Sequence, residues 1–373
     1  MKVVVIGGGI AGLAAAWGLC RAKAGSVTLL EREDQLFAHS SGKNAAIYRC
    51  VESPQVVAEL GVRSARLLDE LLGARSAWLS ADGLLLSART REPLVPLAEV
   101  SARVGIEHEW LDQAELVRRA PAIAGGHATA ALWVPGGGVL DNHAISTALA
   151  REIRACGGRI ELGHDAASVR AQAGRVVGVE SRGELWPADR VVIAGGAWAS
   201  QVGATCGAAL PLTPVRRHLV MLEPDALPAP RSPTVWDAEL GAYFRPESGA
   251  LLASPGDAVP WHAADPVADP AALELLAERL AQMAPSLASA RVRRFWACLR
   301  TFAPDKASVV GADPRVGGLC WLAGLGGHGL TAGVAAGELL AKCIVGESDP
   351  LLEATAPGRL VATPVGQSLG GAR

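Results

Sequence analysis

Three glycines and one acid carry the first chemistry that can be read from this chain. In VVVIGGGIAGLAAAWGL (3–19), Gly7, Gly9 and Gly12 stand at GxGxxG spacing. A short apolar run that reads as a buried strand precedes them, and a run that reads as a helix follows. Gly7 suits the tight turn, Gly9 lets backbone approach a pyrophosphate, and Gly12 lets helix and strand pack closely. The N–H groups of Ile10 and Ala11, at the positive end of the helix dipole, favour a phosphate. Nineteen residues beyond Gly12 the next β-like run, SVTLLE, ends in Glu31, followed by Arg32. A carboxylate there accepts from ribose hydroxyls and repels a 2′-phosphate, so NADP is the least suited dinucleotide.

The residues that follow separate FAD from NAD. REDQLFAHSSGKNAAIYR (32–49) carries Ser40, Ser41, Gly42 and Asn44, then Ala45 and Ala46. Small and hydroxyl side chains of this kind suit the wrapping of a second phosphate and a flavin edge. An NAD domain would proceed directly to another βα unit, so FAD is the expected cofactor.

The elements that must hold this site are scattered along the chain. RVVIAGGAWAS (190–200) reads as a second buried strand ending in glycines, and LCWLAGLGGHGLTAGVAAGELLAKCI (319–344) as strand, glycine turn and helix. Between them, 82–138 and 209–299 carry shorter β-like runs (GLLLSA, RHLVMLE, AYFRPESGALLAS, RVRRFWACLR) and a helix-like run near 271–283. The expected fold is an α/β, Rossmann-like FAD-binding domain, discontinuous over 1–81, 139–208 and 300–345. Into it is inserted a substrate-binding domain, 82–138 and 209–299, of mainly antiparallel β-sheet plus helices. The Pro-, Gly- and Ala-rich residues 346–373 read as a C-terminal surface tail.

The motifs GGGIAG, LLERE, HSSGKNAA, VVIAGGAWA and LAGLGGHGLTAGVAAGELLA, in this order and over nearly the whole chain, resemble the D-amino acid oxidase family of FAD flavoproteins. The resemblance is greatest to its D-amino acid dehydrogenase branch, with some features of glycine and sarcosine oxidases. It implies that Gly195, Gly196 and Trp198 border the cofactor. It also implies that the turn Gly327, His328, Gly329, with Leu330 and Thr331, meets the pyrimidine end of the flavin, where helix N–H groups stabilise the reduced ring's negative charge. His328 reads equally as a structural or a catalytic histidine.

Oxidising an amino acid requires a fixed carboxylate, for which a planar arginine fork is well suited. Set against the dehydrogenase branch, Arg300, Tyr243 and Arg217 fall on its carboxylate-binding residues. Ile47 stands where that branch has a histidine, and Gly83 where it has an acid that reads the side chain, so a neutral side chain is expected. Cys298 lines up with the cysteine that links covalently to flavin in the sarcosine branch, and Arg49 lies near one of that branch's basic residues. A buried, inert Cys298 with non-covalent FAD is the preferred expectation. The branch's substrate-binding lysine after GHG is Thr331 here, and its oxygen-activating lysine has no counterpart, since no lysine occurs from 44 to 305. This tilts the acceptor from oxygen towards a quinone or dye-type carrier, and the activity towards a dehydrogenase.

The resulting expectation is oxidative deamination of a free amino acid, D-configured or glycine-like, by hydride transfer to flavin N5, giving an imine, then a 2-oxo acid and ammonia. Its rivals are an N-methyl or cyclic secondary amine oxidase and a flavoprotein subunit or scaffold without turnover. Half of the 373 residues are apolar, enough for two domains. A net charge of −2 offers no invitation to nucleic acid. Seven scattered cysteines without CxxC spacing argue against disulfides or a metal site. With no spanning run and no signal-like segment, a cytoplasmic location is expected. The oligomeric state, homo- or hetero-oligomer, stays open.

Overall fold

The computed structural model describes residues 1–165, 168–223 and 231–361. One layer is a six-stranded sheet ordered Val309–Ala312, Leu319–Ala323, Arg190–Ile193, Lys2–Ile6, Ser26–Leu30 and Arg159–Glu161. All neighbours are parallel except the first pair. Strands covered on both faces must be apolar throughout, which is why VVVI (3–6), VVI (191–193) and LCWLA (319–323) read as continuous runs. Their side chains are almost completely buried.

Two helices lie against this sheet in unusually close contact, Ile10–Arg21 and Gly329–Val345. A Cβ at Gly337 would lie 2.3 Å from the Ala14 carbonyl, and one at Gly18 would lie 2.6 Å from the Gly337 oxygen. Only glycine permits backbone to meet backbone here. Both helices begin at the carboxyl ends of the parallel strands, where ligands bind in open α/β sheets.

The second layer is a nine-stranded sheet containing the β-runs expected from sequence: Leu84–Ala88, Thr213–Glu223, Tyr243–Glu247, Ala250–Ser254 and Arg291–Phe302. It is antiparallel apart from the pairing of Thr234–Asp237 with Leu84–Ala88. The helix Ala271–Met283 packs Leu276, Leu280 and Met283 against Val220, Leu222 and Phe244 on one face of the sheet. Leu219, Tyr243, Leu252 and Cys298 cluster on the other face, with Ala45 of the first layer. The strand that carries Arg300 belongs to this sheet and runs on to Phe302.

The chain beyond 345 departs from the surface tail expected of it. Asp349 pairs with Arg63 at 2.7 Å and with Lys342 at 3.1 Å. Thr355 is fully buried and Leu360 nearly so. These contacts dock Leu351–Thr355 and Gly358–Val361 onto the first domain, and composition alone does not reveal them. Residues 362–373 lie outside the described residues. Among the described residues no helix is long and apolar enough to cross a membrane.

Candidate active site

A cavity of about 1060 Å³ runs between the two layers. That is at the upper end of roughly 300–1,000 Å³ for small-molecule sites, so it suits a large ligand. One end is built by the glycine turn. Gly7 has φ +113°, and a Cβ on Gly12 would sit 1.7 Å from the Gly7 oxygen, so the helix can start here only with glycine at 12. Glu31 is buried and accepts from the Gly8 N–H and, at 2.9 Å, from the Glu33 N–H. Ser41 Oγ accepts from the Ile10 N–H at 3.0 Å. Asn44 ties the following loop together, donating to the Ser41 oxygen at 2.6 Å and accepting from the Ala46 N–H at 2.6 Å. Arg32 lies 3.8 Å over the Trp198 ring.

Beside it, the helix that starts at Gly329 presents the N–H groups of Gly329, Leu330 and Thr331 to the same cavity. Among the described residues none of the three has a backbone partner. Two neighbouring helix N-termini therefore line the cavity, a Cβ on Gly329 coming within 3.2 Å of Ile10 Cγ2, an arrangement that attracts an anionic ligand.

The remaining wall is the nine-stranded sheet. Val215 opposes Arg300 and Arg217 opposes Cys298 in the antiparallel register, so Arg217 and Arg300 are diagonal neighbours on one face. Arg300 donates to Cys298 Sγ at 3.1 Å and to the Leu299 oxygen at 3.3 Å. Arg217 donates to the Asp257 oxygen at 2.8 Å and to the Gly256 oxygen at 3.1 Å. A guanidinium has five N–H groups, so each arginine keeps three. Neither forms an ion pair among the described residues. Burial pulls the Arg217 guanidinium below its ordinary value, with Tyr243 opposing and Arg300 adding to the effect. Burial also works against Arg300, but the Cys298 sulfur and Tyr243 hydroxyl hold it above its ordinary value. Tyr243 stacks on Trp236 with ring centroids 4.3 Å apart.

The expected residues that line this cavity are Gly7, Gly9, Ile10, Ala11, Glu31, Arg32, Ser40, Ser41, Asn44, Ala45, Ala46, Gly195, Gly196, Trp198, Arg217, Tyr243, Arg300 and the run Gly327–Thr331. Ser40 also donates to the Leu299 oxygen at 2.6 Å, joining the cofactor loop to the arginine strand. Gly12 and Gly42 lie behind the lining. A Cβ on Gly42 would meet the Phe37 oxygen at 2.2 Å, so that glycine serves the loop's own packing. Cys298 is 2% exposed and also stands outside the lining.

Sequence reading singled out neither Glu52 nor Trp236, both of which border the cavity. Arg49 pairs with Glu52 and lies 4.0 Å over the Trp236 ring. Glu52 also lies 3.5 Å from His328 Nε2. His328 is pushed down to about 4, by burial first and also by Arg49, Arg217 and Arg300, with Glu52 opposing. It is therefore neutral near pH 7. Tertiary folding brings these residues together, and no local spacing marks them.

A glycine turn with a strand-end acid, a second helix N-terminus and a discontinuous parallel sheet define an FAD-binding oxidoreductase of the α/β type. The chain belongs to the FAD dependent oxidoreductase family DAO, whose pattern matches residues 2–343, and its cofactor is FAD. It is 26% identical over 372 residues to the mitochondrial pyruvate dehydrogenase phosphatase regulatory subunit of Mus musculus, covering 92% of this chain and 41% of that protein. It is 31% identical over 283 residues to a D-amino acid dehydrogenase of Methylobacterium nodulans, covering 71% and 64%. Among solved structures, L-proline dehydrogenase from P. horikoshii superposes with a TM-score of 0.87 at 21% identity, covering 96% of this chain and 97% of that one. The chain thus spans less than half of the first relative and under two thirds of the second.

Proposed function

We propose that this protein oxidises a free amino acid, D-configured or glycine-like with a neutral side chain, to the imine, which water converts to a 2-oxo acid and ammonia. The observation that carries this reading is the pair on one face, Arg300 buried and Arg217 half-buried, without an ion-pair partner among the described residues and with three N–H groups left on each. An unpaired buried charge is costly, and a substrate carboxylate supplies the missing partner. Arg300 and Arg217 clamp the carboxylate, and the Tyr243 hydroxyl, which has no hydrogen bond among the described residues, adds a third donor.

Bound FAD supplies the hydride acceptor. Gly9, Ile10, Ala11, Ser41 and Glu31 would hold its adenosine and pyrophosphate, and Gly329, Leu330 and Thr331 its pyrimidine end. Trp236 and Tyr243 form an apolar wall that excludes water from the reacting carbon. A non-covalent cofactor is favoured by the burial of Cys298. A dehydrogenase using a quinone or dye-type acceptor is favoured by the absence of any lysine from 44 to 305.

The relative named as a regulatory subunit favours one second reading, a flavoprotein subunit without turnover. One experiment separates the two. The holoprotein is mixed anaerobically with D- and L-amino acids, glycine, sarcosine and proline while the visible flavin band is followed. Rapid bleaching by one hand of a primary amino acid, or by glycine, is expected. Bleaching by sarcosine or proline alone would replace the proposal with a secondary amine oxidoreductase, and no bleaching would favour the subunit.

A further inference from the structure

The strand Thr213–Glu223 turns Arg217 towards the cavity and His218 to the opposite face. On that back face the loop after Ser254 is anchored at several points. Asp257 accepts from the His218 backbone N–H at 2.9 Å through Oδ1 and pairs with His218 Nδ1 at 2.7 Å through Oδ2. His218 Nε2 accepts from the Asp269 N–H at 2.9 Å, so the ring proton sits on Nδ1 and is given to Asp257. Ser254 Oγ donates to the His218 oxygen at 2.7 Å and accepts from the Gly256 N–H at 3.1 Å. Gly256 has φ +76°, and a Cβ there would meet the Gly241 oxygen at 2.1 Å. The same loop presents the Gly256 and Asp257 carbonyls that hold Arg217.

We propose that Asp257 and His218 are positioning residues that aim Arg217 at the substrate carboxylate through the two loop carbonyls. This rests on the carboxylate clamp proposed above. His218 is 1% exposed, which keeps water from competing for the pair. Burial pushes the Asp257 carboxyl up, but the His218 hydrogen bonds outweigh it and hold the group below its ordinary value.

The test uses FAD-loaded protein and benzoate, a carboxylate with no oxidisable α-carbon, read by the shift of the flavin spectrum. Arg217→Met alone should weaken benzoate strongly. Asp257→Asn should weaken it about tenfold, the scale of a misdirected charged hydrogen bond, yet add nothing in the Arg217→Met background. His218→Asn keeps a donor where Nδ1 stands and should bind nearly as the parent, whereas His218→Leu should lose about tenfold. That pair carries the test if Asp257→Asn fails to retain FAD. The inference is overturned if Asp257→Asn has no effect, if it costs the same factor with and without Arg217, or if both His218 variants lose equally. Unchanged benzoate binding in Arg217→Met would overturn the clamp itself, and this inference with it.

Discussion

Replacing Arg300 by methionine is the perturbation that bears most directly on the proposed chemistry. Its two hydrogen bonds to Cys298 and Leu299 use Nη1 only, leaving Nε and Nη2 as a free fork. A carboxylate seated on that fork gains two charge-assisted bonds at about 1.5–3 kcal/mol each. Methionine keeps the volume, and it also removes a buried charge that lacks an acidic partner, which offsets part of the loss. A net cost of about 2–4 kcal/mol corresponds to roughly 30- to 1000-fold in substrate affinity. The assay is anaerobic stopped-flow bleaching of the flavin against substrate concentration, which separates the apparent Kd from the limiting reduction rate. Arg300→Met should raise the Kd by that factor and lower the limiting rate by less than about tenfold, with FAD content unchanged. Arg300→Lys should recover only part of the affinity, since an ammonium cannot reproduce the fork. An unaltered Kd in Arg300→Met would refute the reasoning.

Three further outcomes are expected. Gly12→Ala places a Cβ 1.7 Å from the Gly7 oxygen, so the purified variant should contain no bound FAD. His328, ordinarily near 6.5 and here pushed down to about 4, binds its proton more readily in the unfolded chain between those values. Folding stability should therefore fall as pH drops through about 6.5 and level off below about 4. The loss is up to about 3 kcal/mol, measured by denaturant unfolding, and His328→Asn should lack this component. Acid precipitation of the holoprotein should leave the yellow colour in solution, because Cys298 is buried behind the lining; colour in the pellet would establish a covalent link.

The sequence made the first domain legible because its signals are local. A strand, a glycine turn and a helix occupy consecutive residues, and the apolar runs at 3–6 and 191–193 are what a doubly covered parallel strand requires. The helix at 271–283 was likewise visible from its periodicity, and its bounds agree with Ala271–Met283. The parallel joining of Thr234–Asp237 to Leu84–Ala88 was not visible, because strands 150 residues apart carry no mark of their pairing. For the same reason Trp236 and Glu52 escaped notice. Each reads locally as an ordinary strand aromatic or a loop acid, and only the approach of the two layers brings Arg49 over the Trp236 ring. The docking of Leu351–Thr355 depends on Asp349 meeting Arg63, 286 positions away.

The backbone-to-backbone contact between Ile10–Arg21 and Gly329–Val345 has a consequence for adaptation. Two neighbouring helix N-termini polarise the cofactor cavity, and their separation is set by the backbone contacts at Gly18 and Gly337. Exchanging side chains elsewhere leaves that field almost unaltered. The nine-stranded sheet, by contrast, presents only replaceable side chains to the cavity. A lineage acquiring a new substrate could revise the sheet wall freely while its electron-transfer apparatus stays in register, whereas one added methyl group at Gly337 would detune that apparatus from a site remote from any reacting atom.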